Sequence, residues 1–526
     1  MQKLLIVLFT LLLSVPQALA VNVDQIIDEK LAPVTNAIAN FIFFPMPGTQ
    51  VPIIIFWILF AGIFFTFYFR GLAVWGFKHA IDTVLNHDKK HNDKHGDSSS
   101  GEVSSLQALA TALSGTIGIG SIAGVAISIS IGGPGAAFWI FAGALLGMSI
   151  KFVEASAAVK YRRFNLDGSV SGGPMHYIAH GLTRKKLRRL GQILAVIFAT
   201  LCIGGAITGG NMIQINQSAH QLVHITGGEA SFLHGCTWIF GLVVAVLVGL
   251  AVVGGIKSIA KVTSILVPTM CFLYIGAGLI VILANFLNIP HAIGVIVKQA
   301  FAPEAVAGGV FGTIIIGLRR SVQSNEAGTG AAAIAYAAVK TKEPISQGFV
   351  AILETFLTGI LCLLTSFTIV FTGAYLNQPE GISGIELASG AFQSVIPFFP
   401  YILSLVVIMF ALSTLISWAY YGQKAWNYLF GEGKKRNLTF NILYCLFIVA
   451  GSAMNVKSII DITDAMMIAM SIPNIIALYI LAPEIKNDML DYCRRFGVGT
   501  LIYRDRLAKL PPLPCVEPET VTEKEE

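Results

Sequence analysis

The stretch SGTIGIGSIAG, Ser114 to Gly124, places four glycines in an apolar run that otherwise has the composition of a helix. Glycine destabilises a helix interior by roughly 1 kcal/mol relative to alanine. Its GIGSIA segment fits the dinucleotide-binding pattern G-x-G-x-x-G/A, and GSIAG fits the helix-packing pattern G-x-x-x-G. A third interpretation is that the helix is broken at these glycines.

The flanking sequence argues against a nucleotide site. A dinucleotide fold needs a strand before the glycines and an acidic residue about 20 positions later, but QALATALS and VAISISIGGPGAAFWIF form a spanning run with no acid near residue 140. Close packing needs one small face and does not explain four crowded glycines. An unwound stretch at membrane depth frees carbonyls for a small cation and N–H groups for a carboxylate. We therefore expect recognition of an ion and a small zwitterion, without bond-making.

The composition is that of a membrane protein. The chain has 526 residues, of which 55% are hydrophobic and 12% charged, whereas soluble domains carry about 25% charged residues. Apolar runs of 18 or more residues recur along the chain and predict a polytopic, all-α membrane protein.

Residues 1–20, ending in Ala18-Leu19-Ala20, have the pattern of a cleaved signal peptide. An uncleaved signal-anchor is the alternative, and with either the next segment starts outside.

Eleven spans follow the signal, at about 50–69, 107–131, 134–157, 190–212, 236–255, 262–286, 306–336, 346–376, 398–428, 438–455 and 459–483. With residues 21–49 periplasmic, thirty of the 35 Lys and Arg residues fall in inner segments and three in outer ones. This asymmetry supports the span count and a bacterial inner (plasma) membrane protein with a periplasmic N-terminus and a cytoplasmic C-terminus. The other predicted parts are a leading helix at 50–69 and a cytoplasmic loop at 70–106. Two five-helix repeats follow at 107–286 and 306–483, and a cytoplasmic tail at 484–526 ends the chain.

The two five-helix halves have comparable layouts. Each opens with a glycine-rich span, SGTIGIGSIAG in the first and GGVFGTIIIG (308–317) in the sixth. Because five is odd, the halves cross the membrane in opposite directions. Interrupted helices at matching positions of inverted halves predict the binding site of a transporter.

Several stretches together resemble the alanine or glycine:cation symporter family. They are the run 107–162, SGGPMHYI (171–178), GGNMIQINQ (209–217), LRRSVQSNEAGTGAAAIAYAA (318–338), STLISWAYYGQKAWNYLFG (413–431) and DAMMIAMSIPN (464–474). The resemblance implies a LeuT-like 5+5 inverted repeat with discontinuous first and sixth core helices, plus one extra N-terminal helix. It also implies small neutral amino acids moved with sodium, or sometimes with protons. Ser121 stands where the family usually has asparagine, and RSVQS (320–324) stands where it has RGxFS, so the ion stoichiometry and exact substrate stay open.

Within that resemblance we expect sodium near the first and eighth spans, because hard cations require oxygen ligands. The candidate ligands are Ser114, Ile117, Ser121, Phe410, Ser413 and Thr414. The alternative is that Ser413 and Thr414 hydrogen-bond back to carbonyls of their own helix.

The substrate is expected beside the first unwound stretch, with its carboxylate on backbone N–H groups. The candidate contacts are Thr116, Gly118, Ile119, Gly120, Asn211, Gln214, Gly312, Thr313 and Trp418. Asn211 and Gln214 have interhelical hydrogen bonding as their alternative. Trp418 either limits substrate size or serves only packing.

Ionisable residues within membrane spans are rare and often functional, and this sequence has several. Glu326 is expected to pair with Arg319 or Arg320 in an inner gate, and helix capping is its alternative. Lys151 and Glu154 are spaced i,i+3 and are expected to pair. The acids of the tenth span, Asp461 and Asp464, lie near its outer end and are read as interfacial; if coupling were to protons, Asp464 or Glu154 would be tested first.

The sequence therefore predicts a secondary symporter that couples sodium influx to uptake of alanine, glycine or a similar amino acid. Its partners are the amino acid, the coupling ion Na+ and the bilayer, without a further cofactor. A proton-coupled transporter of the same fold is the alternative, and a cation channel is the rival from another class. No HExxH metal motif or nucleophile–base arrangement occurs in the predicted spans, so an enzyme is not expected. The basic residues follow topology and indicate no nucleic-acid partner.

Overall fold

A computed structural model describes the chain over residues 33, 37–38, 40–46, 52–91, 101–165, 168–252, 255–301, 309–376, 384–454, 456–499 and 502–503. The regular secondary structure of the described part is helical apart from one two-stranded ribbon and isolated bridges. The predicted signal peptide, with its cleavage site, lies outside the described residues, as does the end of the tail.

The helices before the ribbon include the first broken span. They are α1 (Ile53–Tyr68), α2 (Leu72–Trp75), α3 (Phe77–His91), α4 (Ser105–Thr116), a 3₁₀ turn (Ile119–Ser121), α5 (Ala123–Gly132) and α6 (Ala136–Lys160). The antiparallel ribbon joins β1 (Arg163–Phe164) to β2 (Val170–Ser171).

The middle of the chain contains one π-helical turn. Its elements are α7 (Pro174–Arg184), α8 (Arg188–Ile207), the π turn (Thr208–Met212), α9 (Ile213–Ile225), a 3₁₀ turn (Gly228–Ala230), α10 (Thr237–Val252), α11 (Gly255–Ala284), a 3₁₀ turn (Phe286–Asn288) and α12 (Ile289–Phe301).

The C-terminal part contains the second break. Its elements are α13 (Gly309–Asn325), α14 (Ala333–Ala337), α15 (Pro344–Phe371), a 3₁₀ turn (Ala374–Leu376), α16 (Ile385–Gln393), α17 (Phe399–Phe430), α18 (Lys434–Ala453), α19 (Val456–Ala469) and α20 (Ser471–Phe496).

Seven helical stretches of the described residues are long and apolar enough to cross a membrane, and the bent pair α4–α5 makes eight if it forms one span. Helix also lies at each of the eleven predicted positions, but α1 and α10 are shorter apolar helices. The count of eleven therefore stays a prediction. In the most apolar part of α15, 78% of the residues are buried, against 28% in α18. The core thus surrounds α15 and α17, while α18 lies at the periphery.

The first span is broken where the glycines predicted it. Helix α4 begins with a capping box, in which Ser104 and Gln107 satisfy each other's backbone N–H groups. It ends at Thr116, and α5 leaves at 61° to it after the 3₁₀ turn. Such a break leaves backbone groups free of the regular helical pattern, as a membrane binding site requires.

The second break is not where GGVFGTIIIG predicted it. Helix α13 runs without interruption from Gly309 to Asn325, and Gly308 lies outside the described residues. The chain instead leaves helical geometry in the following turn, where φ is 55° at Glu326, 91° at Gly328 and 79° at Gly330. Left-handed φ values stop an α-helix, whereas a glycine with ordinary φ is only a weak helix former. The second interruption therefore lies at residues 326–332, after α13, and not within the glycine-rich segment.

Candidate functional site

The first break is held from α9 by one amide side chain. Gln214 lies just past the π turn and accepts a hydrogen bond from the backbone N–H of Ile119 at 2.9 Å. Its Nε2 donates to the carbonyl of Gly209 at 2.9 Å. Because π turns widen a helix locally and are frequent at functional sites, this turn fits the position of Gln214 beside the break.

The opposite side of the break is held from α17. The hydroxyl of Thr414 donates to the carbonyl of Ser114 at 2.8 Å. A Cβ at Gly118 would lie 2.9 Å from both Gln214 Oε1 and Thr414 Oγ1. A larger residue would therefore force Gln214 or Thr414 to shift at this position, where the backbone of the break lies beside two neighbouring helices.

The candidate sodium ligands fall into two groups. Ser114 donates to the carbonyl of Ser413 at 3.2 Å, and the hydroxyl of Ser413 bonds back to Phe410 at 2.9 Å. These residues and Thr414 thus bring hydroxyl and carbonyl oxygens of α4 and α17 together, the ligand chemistry that a hard cation needs. The back-bonding alternative holds for Ser413, while Thr414 reaches across to α4.

Ser121 is the last residue of the 3₁₀ turn and contacts α15. Its carbonyl accepts a hydrogen bond from Thr365 at 3.0 Å. Its hydroxyl is buried and has no hydrogen-bond partner among the described residues. Ile117, the sixth candidate, is the residue that caps α4 at the start of the break.

Four of the predicted substrate contacts lie at this break. They are Gly118, Ile119, Gly120 and Gln214, and the carbonyl of Gly120 accepts a hydrogen bond from Ser324 at 3.4 Å. Thr116 bonds back to the carbonyl of Ala112 at 3.1 Å. The break therefore offers its substrate backbone groups and one amide.

Three other predicted contacts are placed differently. Asn211 donates to the carbonyl of Tyr444 on α18 at 2.8 Å, which is the interhelical alternative. Thr313, one residue after Gly312, donates to the carbonyl of Gly132 at 3.2 Å. Since Gly132 ends α5, Thr313 meets that helix about 15 Å along its axis from the break. Helix α13 is continuous here, and Thr313 contacts the end of α5 instead of the first unwound stretch; the substrate role of Gly312 and Thr313 stays a prediction.

Trp418 connects the two breaks. It is fully buried, and its indole N–H lies 3.3 Å from the carbonyl of Gly115 and 3.1 Å from Oε1 of Glu326. The indole N–H of Trp418 thus contacts both α4 and the turn after α13. Trp418 is thus not exposed to lipid, and its indole lies between the two candidate binding elements.

The predicted inner gate does not form. Arg319 lies 2.8 Å and Arg320 3.7 Å from the carboxylate of Asp464 on α19, and Arg319 also approaches Asp461 at 3.7 Å. Continuous helix carries the arginines about two turns away from Glu326, whose left-handed backbone turns it toward Trp418. Asp464 is buried, so it faces these arginines inside the protein, and its position near the outer end of the span stays a prediction.

The predicted pair of Lys151 with Glu154 is also replaced. Lys151 on α6 pairs with Glu354 on α15 at 2.9 Å. Glu154 instead accepts hydrogen bonds from the N–H of Gly328 at 3.0 Å and from Asn474 at 2.7 Å. Sequence reasoning missed Glu354 and Asn474, although a polar residue within an apolar span was the available signal.

Comparison with known proteins gives one family. The sequence model of the sodium:alanine symporter family matches residues 35–501. The sodium/alanine symporter AgcS of Methanococcus maripaludis is 36% identical over 83% of this chain and 93% of its own length. YrbD of Bacillus subtilis, provisionally named a sodium/proton-dependent alanine carrier protein, is 34% identical over 77% of this chain and 84% of its own.

Among solved structures, that of MhsT in complex with L-phenylalanine is similar with a TM-score of 0.52. It is 15% identical and covers 78% of this chain and 94% of its own. At this identity the likeness shows the fold alone. The described helices therefore have the architecture of a LeuT-fold transporter.

Proposed function

The chain belongs to the sodium:alanine symporter family of membrane transporters, and we propose that it couples sodium influx to uptake of alanine, glycine or a similar small neutral amino acid. The cycle would be alternating access around the α4–α5 break, with substrate and ion favouring the same closed state. It is a transporter and not an enzyme.

The observation that carries this proposal is the contact of Gly118 with Gln214 and Thr414. Both side chains would lie 2.9 Å from an added Cβ, so the break has little room beside its backbone. Such a site suits an amino acid whose side chain is absent or a single methyl. The start of α5 has no side-chain cap, and its first N–H groups suit the carboxylate of the amino acid, since helix N-termini attract anions.

The oxygens between α4 and α17 support sodium as the coupling ion. Ser114, Ser413 and Thr414 contribute hydroxyls from two helices, one of which ends in the break. An ion bound there would contact both helices and would favour the closed arrangement in which they meet. That differential binding is what couples an ion to a conformational change.

The proposed placement is the bacterial plasma membrane, with the N-terminus outside and the C-terminus in the cytoplasm. The distribution of basic residues supports this orientation. A proton-coupled transporter of the same fold is the second candidate, favoured by the buried carboxylates Glu154 and Glu326 and by the name of the relative YrbD.

Uptake of labelled alanine into proteoliposomes under an imposed sodium gradient tests the proposal. We expect uptake to rise with inward sodium and to fall to the level of protein-free vesicles with potassium on both sides. Uptake that follows only a proton gradient would favour the second candidate. No uptake with either gradient would contradict both.

A further inference from the structure

Three carboxylates and one ammonium group are buried around the second helix break. Lys151 pairs with Glu354 at 2.9 Å, and Tyr336 donates to the other oxygen of Glu354 at 2.9 Å. Glu154 and Glu326 lie outside that pair. The described residues of this cluster therefore hold more acid than base.

Each of the two remaining acids has one oxygen that is unsatisfied. Glu154 and Glu326 are each 1% exposed. Within the described part of the chain, Oε2 of Glu154 and Oε2 of Glu326 have no hydrogen-bond partner, although the Oε1 atoms do. An ionised carboxylate accepts hydrogen bonds at both oxygens, whereas a protonated one keeps its hydrogen on one of them.

Burial without a second cation favours the neutral carboxyl. An isolated buried charge loses its hydration, and in practice such a group takes up a proton instead. The single ammonium of Lys151 is already bonded to Glu354, so it cannot balance three ionised acids. One proton on Glu154 or Glu326 halves this imbalance, from two net negative charges to one.

The remaining titratable groups around the two acids are neutral hydroxyls and a thiol. Lys151, Glu354 and Glu154 face Glu326 from α6 and α15. The other groups that interact electrostatically with Glu326 or Glu154 are Tyr421 on α17, Cys202 on α8 and Tyr177 on α7. Lys151 is thus the one basic group among these neighbours.

The acids are bonded to elements that also contact the candidate substrate site. Glu154 accepts the N–H of Gly328, and Glu326 is two residues earlier in the same left-handed turn. Glu326 also shares the indole of Trp418 with the carbonyl of Gly115 on α4. Movement of α4 against this turn would therefore change the surroundings of both carboxyls.

We propose that Glu326, together with Glu154, forms a proton-binding site that takes up and releases one proton during the transport cycle. The proposal rests on the proposed symport function and adds a second ion site, separate from the oxygens between α4 and α17. A non-glycine residue held at a φ of 55° in this turn is consistent with a functional constraint.

The test uses full-length protein in proteoliposomes that contain a pH-sensitive dye, with the membrane potential clamped and an inward sodium gradient at equal pH. We expect alanine to change the lumenal pH of wild-type vesicles. The same addition to Glu326→Gln or Glu154→Gln vesicles should give only the signal of protein-free vesicles. Glu229→Gln, the same change at an exposed outer turn, is the matched control and should behave as wild type.

Wild-type measurements keep the test independent of variant folding. Sodium-driven uptake of labelled alanine without any lumenal pH change would overturn the proton site and leave symport intact. Uptake driven by a pH gradient alone, and lost in Glu326→Gln, would support the site although sodium coupling fails. If neither gradient drives uptake, both proposals fail. Alanine-induced thermal stabilisation of each variant shows that it still folds and binds.

Discussion

Gln214 accepts the backbone N–H of Ile119 at 2.9 Å, so one amide side chain of α9 holds the turn that breaks the first span. The same amide donates to Gly209 in the π turn. It therefore joins the two irregular backbone segments of the site. Loss of this side chain should loosen the break without removing a packed apolar core residue.

Gln214→Ala is expected to weaken alanine binding by roughly tenfold, because a lost buried hydrogen bond costs about 1 to 1.5 kcal/mol. Alanine titration followed by thermal shift measures the dissociation constant. Gln192→Ala, at an exposed position of α8, is the control and should leave the constant unchanged. Equal dissociation constants for alanine in both variants would mean that Gln214 does not contribute to alanine binding.

Gly118→Ala should abolish transport and lower thermal stability. The added Cβ would lie 2.9 Å from Gln214 Oε1 and from Thr414 Oγ1, and overpacking of this kind costs about 1–3 kcal/mol. Gly276→Ala is the control, since its Cβ would meet no described atom within 4 Å. Uptake assays and thermal melts compare the two. A Gly118→Ala protein that transports normally would show that the break is less crowded than its geometry indicates.

Ser121→Asn should change the dependence of uptake on sodium more than it changes stability. The hydroxyl of Ser121 is buried and has no hydrogen-bond partner in the described part of the chain, and its carbonyl accepts a hydrogen bond from Thr365. An amide there would add an oxygen beside the break. Uptake measured over a range of sodium concentrations gives the effect, with Ser130→Asn on α5 as the control. Unchanged sodium dependence would count against a role for Ser121 in the ion site.

Because of His176, which lies on α7 outside the predicted spans, we expect the stability of the protein to fall in acid. Burial lowers the pKa of His176 to about 3, and the positive charges of His180, Arg163 and Lys424 act in the same direction. The unfolded chain takes up this proton near pH 6.5, whereas the folded protein does not. Stability should therefore fall as the pH drops below about 6.5, by at most about 1.4 kcal/mol per pH unit.

Thermal melts between pH 5 and 8 check this expectation. His176→Gln removes the titrating group and should flatten the curve below pH 6.5. His291→Gln, at an exposed position, should keep the wild-type slope. A wild-type curve that is already flat would contradict the buried, neutral state of His176.

The two breaks show how far the sequence could predict the fold. Four glycines in eleven residues located the first break correctly, because glycine density and an unwound backbone coincide there. The same reasoning failed at Gly309–Gly317, where the glycines stay helical and Gly317 packs against Trp139. The second break depends on left-handed φ values at Glu326, Gly328 and Gly330, which only the tertiary environment fixes.

The ion pairs show why partners are harder to predict than elements. Spacing along a helix favoured Lys151 with Glu154, but the partner of Lys151 lies 203 residues away on α15. Asn474 reaches Glu154 across 320 residues. Local spacing gives the face on which a charge lies, and the packing of distant helices decides which group meets it.

Asp464→Asn should destabilise the protein far more than Asp461→Asn does. Asp464 is 1% exposed and faces both Arg319 and Arg320, so its loss leaves the buried guanidinium of Arg320 without its carboxylate. Breaking a buried pair in this way costs about 3–5 kcal/mol. Asp461 is 36% exposed and lies 3.7 Å from Arg319, and exposed pairs contribute about 0–1 kcal/mol. Thermal melts of both variants in sodium measure the difference; equal melting temperatures would mean that the arginines keep their charge balance without Asp464.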